Sequence, residues 1–323
     1  MKIHVVCTKN GQLNEGMNNI EAHFTKRFLE KHEVTTSSLR DIAGLLRNAI
    51  KADCIIFYCR ATEKTYWMMK LACLLCANVW EVVVQKPENG FLEKQKRKSP
   101  KCSFLYLSPD DIEGLQVRQG QGMVRFSVGL NTDKFKPVDR VTAESIKKKY
   151  GFSTEKPLVV HVGHASEGRG VEDLALLDGE KFLKLFVDSG IFDNPAQAEL
   201  LENSGVTIIR GFLEHVEEVY QMADAYLFPT KSGDYVISVP LSVMEALSCG
   251  TPAVSYQSMK VSQSINGIAE GALCEIESEK QLNVTLQEIV NRKTDHSLIS
   301  DCKTWDEAAD QVEKVLFCKD VSK

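Results

Sequence analysis

Three groups of residues in this chain have types and spacing suited to chemistry on a phosphorylated ligand. The first is Gly163-His164-Ala165-Ser166-Glu167-Gly168-Arg169-Gly170, which follows an apolar run at 157–162 and precedes a helical pattern. Its glycines let backbone approach a ligand closely, and free amides at a helix start favour phosphate oxygens. Arg169 and His164 bring positive charge to the same mouth. The spacing matches neither a Walker A loop nor the Rossmann G-x-G-x-x-G pattern, and a plain Gly-rich connector with a solvated Arg is the competing reading. The second is Glu245, set in a helix whose apolar positions are Val239, Leu241, Val243, Met244 and Leu247 and which Gly250 ends. A carboxylate in such a stretch needs a partner. A ribose diol suits it, since a carboxylate accepts both hydroxyl hydrogens; capping a backbone or pairing with Arg is the alternative.

The third group is basic and lies in the first part of the chain. Arg60 and Lys64 come just past a β-branched run at 53–58 and are candidates for an acceptor phosphate, against a reading as exposed surface charge. Gly16, in a polar loop at 11–19, is placed for close backbone approach. Lys94, Lys96, Arg97, Lys98 and Lys101 follow Phe91-Leu92 and form a candidate surface for anionic lipid, where each charge contributes about 1 kcal/mol; a solvated loop is the alternative.

These groups must be positioned by something, and the chain alternates short β-rich runs with helical patterns almost throughout, the signature of βαβ units and parallel sheets. The first half predicts strands at 2–7, 53–58, 81–85, 103–107 and 123–128, with helices at 20–31 and 66–77. The second predicts strands at 157–162, 184–188, 206–210, 225–228 and 252–255, with helices at 171–177, 195–203, 214–222 and 239–248. The expected organisation is an N-terminal domain at 1–130, a charged linker at 131–156, a second domain at 157–302 and a last helix at 303–323 that is a candidate to cross back to the first domain. Ligands of open parallel sheets bind outside the carboxyl ends of the strands.

With 323 residues, 43% hydrophobic and 26% charged, the chain is in the ordinary globular range. A net charge of −5 argues against a nucleic-acid binder. The charge is uneven: residues 1–130 carry a net +6 and the remainder −11. The first residues begin a strand, so no signal peptide is expected, and the ten cysteines are read as reduced thiols of a cytoplasmic protein. Cys73 and Cys76 form a C-x-x-C read as helix packing rather than a redox or zinc site. No apolar stretch approaches the ~18 residues of a membrane span.

Four segments in order then resemble a known family. Gly129-Leu130-Asn131-Thr132-Asp133-Lys134-Phe135-Lys136-Pro137 resembles the junction motif Gly-Val-Asp-Thr-Asp-Lys-Phe-Lys-Pro. The strand and loop from Val159 to Val171 resemble Phe-Val-Gly-Arg…Glu-Lys-Gly. The stretch 211–228, with Ala223-Asp224-Ala225, resembles the strand after a nucleobase loop. Met244-Glu245-Ala246-Leu247-Ser248-Cys249-Gly250-Thr251-Pro252-Ala253-Val254 resembles Leu-Glu-Ala-Met-Ala-Cys-Gly-Thr-Pro-Val-Val. Together they resemble the retaining GT-B glycosyltransferases of group 1, and Trp305 in the last helix fits too. The resemblance covers residues 129 to about 275, while the first 128 agree only in strand order.

The resemblance implies an α/β GT-B fold of two doubly wound Rossmann-like domains facing a cleft. It implies transfer of a sugar from a nucleoside diphosphate donor to a hydroxyl on a lipid-linked or surface glycan, with retention. The donor is a substrate, so neither cofactor nor metal is expected. Glu245 is implied to hold the donor ribose, and Arg169 stands where the family has the Lys that neutralises diphosphate. His164 replaces the partner Arg, and Ile237 stands where the first Glu of a Glu-x7-Glu pair is usual. Asp234, from an apparent insertion, is the candidate substitute carboxylate; Gly163, Ser238, Val239 and Gly16 complete the expected donor site, and Ser258, Ser262 and Ser264 replace an absent Gly-Gly phosphate loop. A cytoplasmic location is expected, with the inner face of the cell membrane as a candidate surface. Two alternatives follow from the departures: a GT-B scaffold that binds a nucleotide or a partner transferase without transfer, and a nucleotide-sugar epimerase.

Overall fold

A computed structural model describes residues 1–8, 16–166, 168–190 and 194–317. The chain forms two compact units. The first comprises Met1–Gly129, Ile237–Val239 and Lys303–Lys323; the second comprises Leu130–Val236 and Pro240–Cys302.

The first unit holds a parallel sheet of six strands: β1 (Lys2–Cys7), β2 (Glu33–Ser38), β3 (Cys54–Tyr58), β4 (Val79–Val83), β5 (Ser103–Tyr106) and β6 (Met123–Arg125), in spatial order β2-β1-β3-β4-β5-β6. The order reverses at β1, which pairs β2 on one side and β3 on the other. Val6, Ile55, Phe57, Val83 and Phe104 line one face and bury Tyr66, Met69, Ala72 and Phe91 of the covering helices. Strand β2 and the helix Ile42–Ala49 have no counterpart in the sequence reading. Strand β2 is an edge strand of sequence Glu-Val-Thr-Thr-Ser-Ser with mostly exposed side chains, so it carries no apolar alternation to read. The first helix spans Gly16–Leu29, which places Gly16, Asn18 and Asn19 on a helix rather than in the predicted loop. Residues 9–15, which include Gly11 and the start of that loop, lie outside the described residues.

The second unit repeats the plan with β7 (Leu158–Gly163), β8 (Leu183–Asp188), β9 (Val206–Arg210), β10 (Ala225–Phe228), β11 (Ala253–Tyr256) and β12 (Leu273–Ile276), in order β12-β11-β10-β7-β8-β9, all parallel. Val159, Phe186, Leu227 and Val254 bury Leu174, Leu201, Leu286 and Ile289 against one face. The predicted helix at 171–177 is a 3-10 segment, Val171–Leu176, and the helix carrying Glu245 is Leu241–Ser248, so Val239 precedes it. The stretch read as a linker contains the helix Arg140–Lys149, which belongs to the second unit: buried Lys147 donates to Asp224 Oδ2 at 2.9 Å and to the Lys156 carbonyl at 2.8 Å.

The final helix, Trp305–Phe317, lies with the first unit and packs on Gly16–Leu29. Arg27 forks onto both oxygens of Asp310 at 2.9 Å, and Lys31 reaches Asp310 at 2.8 Å and Glu313 at 2.7 Å. These bonds hold the Asp310 carboxyl well below the usual carboxylate range. Trp305 stacks on His23 with centroids 4.3 Å apart and meets Phe24 edge-on at 6.3 Å. Trp305→Ala is expected to lower the unfolding free energy by about 2–4 kcal/mol, measured by urea denaturation, because it opens a void in this seam.

Candidate functional site

In doubly wound sheets the place where strand order reverses is where helix starts and loops splay apart at the carboxyl edge. In the second unit that place is the pair β7 and β10. Gly163 ends β7, and the loop that follows carries His164 and Arg169. Phe228 ends β10, and the chain leads from there to the helix Leu241–Ser248 and Glu245.

The loop after β7 is shaped by two glycines in left-handed conformation, Gly168 at φ +81° and Gly170 at φ +71°. A side chain at Gly168 would run into the Tyr235 ring at 2.2 Å, and one at Gly170 into the Pro229 carbonyl at 2.2 Å, so no other residue fits either position. The Thr230 hydroxyl donates to the Arg169 carbonyl at 3.2 Å and ties this loop to the one after β10. His164 is buried and its Nδ1 shares a hydrogen bond with the Ser189 hydroxyl at the end of β8, which fixes the ring. Beneath them His161 donates from Nδ1 to the Leu227 carbonyl at 2.9 Å and stacks on Phe186 at 5.6 Å. Burial pushes its pKa down to about 3, and the Arg169 charge adds to the lowering, so His161 is a neutral strut joining β7 to β10. Glu167 lies outside the described residues.

Glu245 is held from the opposite direction. The Tyr220 hydroxyl, on the helix Val216–Met222, donates to Glu245 Oε2 at 2.8 Å. Tyr220 is fully buried and meets Tyr226 at 5.7 Å and Phe135 at 6.0 Å, both edge-on. Phe135 in turn accepts a hydrogen bond at its carbonyl from Ser248 of Glu245's own helix, at 2.6 Å. The junction motif therefore has a packing reason: it seats Phe135 under the tyrosine that orients the carboxyl. Burial pushes the Glu245 pKa up to about 7, and the Tyr220 hydrogen bond and the Lys134 charge oppose that rise. Lys293 caps the far end of the helix, donating to the carbonyls of Tyr220 at 3.0 Å and Cys249 at 3.4 Å, and burial pushes its pKa down to about 8.

The remaining expected residues divide. Asp234 is exposed on a 3-10 turn, Gly233–Tyr235, where it accepts from Ser232 at 3.0 Å. Ser238 and Val239, expected in the second domain, group with the first unit instead, the unit that also holds Gly16. The Ser238 amide donates to the Val84 carbonyl at 2.7 Å, its hydroxyl bonds Asp111, and Ile237 packs directly on Gly16. These hydrogen bonds occupy both donors of Ser238. Arg60, just past β3, pairs with Glu88 at 3.5 Å, and Lys64 is exposed in the first turn of the helix Glu63–Leu75. Both follow the carboxyl end of β3, at the strand reversal of the first sheet. Ser262 is engaged by Glu275 and Ser258 by the Lys231 carbonyl. The sequence reading missed Tyr220, and also Asp173, a buried carboxyl that accepts from Tyr256 and from Lys231 at 3.2 Å. Among the described residues no cluster of three or more His, Cys, Asp or Glu has a metal-binding arrangement.

The family model described as "Glycosyl transferases group 1" matches residues 142–312, more than half of the chain. A curated relative from Campylobacter jejuni, N,N'-diacetylbacillosaminyl-diphospho-undecaprenol alpha-1,3-N-acetylgalactosaminyltransferase, is 26% identical over 193 residues, 56% of this chain and 49% of that one. The chain thus spans about half the length, or less, of the curated relatives it matches. Among solved structures, Anabaena HepE in complex with UDP-glucose superposes with a TM-score of 0.72 at 12% identity, covering 99% of this chain and 96% of that one. WaaG, described as a glycosyltransferase involved in lipopolysaccharide biosynthesis, gives 0.67 at 13% identity, covering 97% and 99%. At those identities the likeness establishes the GT-B fold.

Tyr220→Phe removes the hydrogen bond that favours ionised Glu245. The Glu245 titration is expected to move above its value of about 7, read by carbon NMR of labelled glutamate carboxyls.

Proposed function

Because the chain belongs to the group 1 glycosyltransferase family, we propose that it transfers a sugar from a nucleoside diphosphate donor to an acceptor hydroxyl, with retention of configuration. The observation that carries this reading is the partly accessible Glu245 carboxyl, oriented by Tyr220 in the unit whose sheet reverses between β7 and β10. In this reading Glu245 is ionised when the donor is bound and accepts the ribose hydroxyls. Arg169 and His164 face the diphosphate, and the Gly163 backbone allows its close approach. The bond between the anomeric carbon and the phosphate oxygen breaks, and its electron pair leaves on the nucleoside diphosphate. The acceptor oxygen bonds the same carbon, and the acceptor proton passes to the departing phosphate. No step is routed through a metal, and Asp234 is the candidate carboxylate for the transferred sugar.

The Campylobacter relative is named for an undecaprenol-diphosphate-linked acceptor, which favours a lipid-linked glycan here. Arg60 and Lys64 are the candidate contacts to an acceptor phosphate. Lys94, Lys96, Arg97, Lys98 and Lys101 are assigned to anionic lipid at the inner face of the cell membrane.

A second reading, a GT-B scaffold that binds a nucleotide without transfer, is favoured by one observation. Ile237, where the family has a carboxylate, is buried and packed on Gly16. A thermal-shift screen of UDP, GDP, ADP and their sugars, followed by mass analysis of products, separates the two: the scaffold gives a shift without release of nucleotide. For the transferase, Glu245→Ala and Arg169→Ala are each expected to lower kcat/KM about a hundredfold, equivalent to about 3 kcal/mol of lost charged hydrogen bonding. Unchanged turnover in either variant rejects its assignment.

A further inference from the structure

The helix Glu63–Leu75 of the first unit carries an outward stripe that the core does not use and of which the proposed site takes only Lys64. Its inner residues Thr65, Tyr66, Met68, Met69 and Ala72 are buried. Three- and four-residue steps along the opposite side bring Lys64, Trp67, Lys70, Leu71 and Leu74 into one line. Trp67 is 49% exposed and Leu74 is 79% exposed. Two ammonium groups flank the indole, Lys70 Nζ at 4.8 Å and Lys94 Nζ at 5.6 Å from the ring centroid. Lys94 belongs to the neighbouring helix Asn89–Arg97 and also pairs with Glu63 at 3.0 Å.

The backbone that follows is pinned alongside this helix. Tyr66 donates to the Lys98 carbonyl at 2.7 Å and Cys73 to the Lys101 carbonyl at 3.3 Å. Both lysine side chains, with Lys96 and Arg97, are exposed. The acidic residues on these two helices are Glu63, already paired, and exposed Glu93.

We propose that Trp67, Leu71 and Leu74, within their surround of lysines, form an interfacial anchor that seats this helix face on an anionic lipid bilayer. The pattern of charge selects the occupant. An indole with an apolar body and an N–H settles at the headgroup level, and cations beside it meet lipid phosphates. The apolar side chains form a narrow line interrupted and bordered by ammonium groups, which suits shallow insertion into a charged headgroup layer rather than a broad protein interface. The anchor deepens the proposed reading, on which its biological purpose rests, by giving the acceptor-side unit an orientation on the membrane.

The test uses the full chain with vesicles of phosphatidylcholine, alone or mixed with about one-third phosphatidylglycerol, and needs neither donor nor acceptor. Sedimentation is expected to show adsorption to the mixed vesicles that weakens with salt. Brominated acyl chains are expected to quench Trp67 fluorescence, since Trp80 is buried and Trp305 is stacked on His23. Trp67→Ala is expected to weaken partitioning about tenfold and to abolish the quenching. Lys70→Glu combined with Lys94→Glu is expected to weaken it by at least about fivefold per residue. An unchanged unfolding midpoint shows that the variants are folded. Absence of adsorption, equal adsorption to neutral vesicles, or wild-type adsorption by folded Trp67→Ala overturns the proposal. So does loss of vesicle binding in favour of a soluble protein partner. If Trp67-dependent adsorption holds while Glu245→Ala leaves turnover unchanged, the donor-site reading fails and the anchor stands.

Discussion

A carboxyl on an otherwise apolar helix must be met by a donor, and the second unit is organised around meeting Glu245. Its partner, Tyr220, is a single-proton donor that packing holds in one place. Phe135 and Tyr226 fix the ring, Ser248 fixes Phe135, and Lys293 ties the Tyr220 carbonyl to the end of the Glu245 helix. Tyr220 takes one oxygen, and burial raises the carboxyl's pKa to about 7, so a partner better than a buried phenol would shift it further toward the ionised form. A ligand with two hydroxyl donors is such a partner. If the proposed reading holds, donor recognition and the protonation of this carboxyl are one equilibrium, not two.

The same economy appears at the loop after β7. Its residues are placed by what surrounds them: His164 by Ser189, and the Arg169 backbone by Thr230. His161, which shares the strand, stays neutral and bonds across to β10. Of the three histidine and arginine side chains within nine residues, His161 is the neutral strut, while His164 and Arg169 sit in the loop after β7.

Legibility in the sequence followed burial. Strands buried on both faces, such as β3 and β10, read as continuous apolar runs, and the alternation of such runs with helices disclosed two parallel sheets. The edge strand β2 escaped because exposure removes the apolar pattern that would mark it, and β12 because its four residues, Leu-Cys-Glu-Ile, are too short a run to show one. The Gly-rich loop and Glu245 were legible because glycine and a lone acid are conspicuous in apolar surroundings. Tyr220 was not: it lies 25 residues before Glu245 in an ordinary helix, and only the tertiary structure pairs them. The placement of Ile237, Ser238 and Val239 with the first unit was equally hidden, because it rests on a backbone bond to Val84 that no local pattern encodes.

The first unit is assembled from pieces that are far apart along the chain: its amino-terminal stretch, three residues from the middle and the helix Trp305–Phe317. A ribosome delivers these in order, so the sheet β1 to β6 emerges long before the helix that covers Gly16–Leu29 and receives Arg27 and Lys31. During synthesis the basic, partly uncovered sheet-bearing portion must wait for the helix Trp305–Phe317 to emerge before this surface is closed. A nascent chain stalled before Lys303 would expose the seam that Trp305 normally seals.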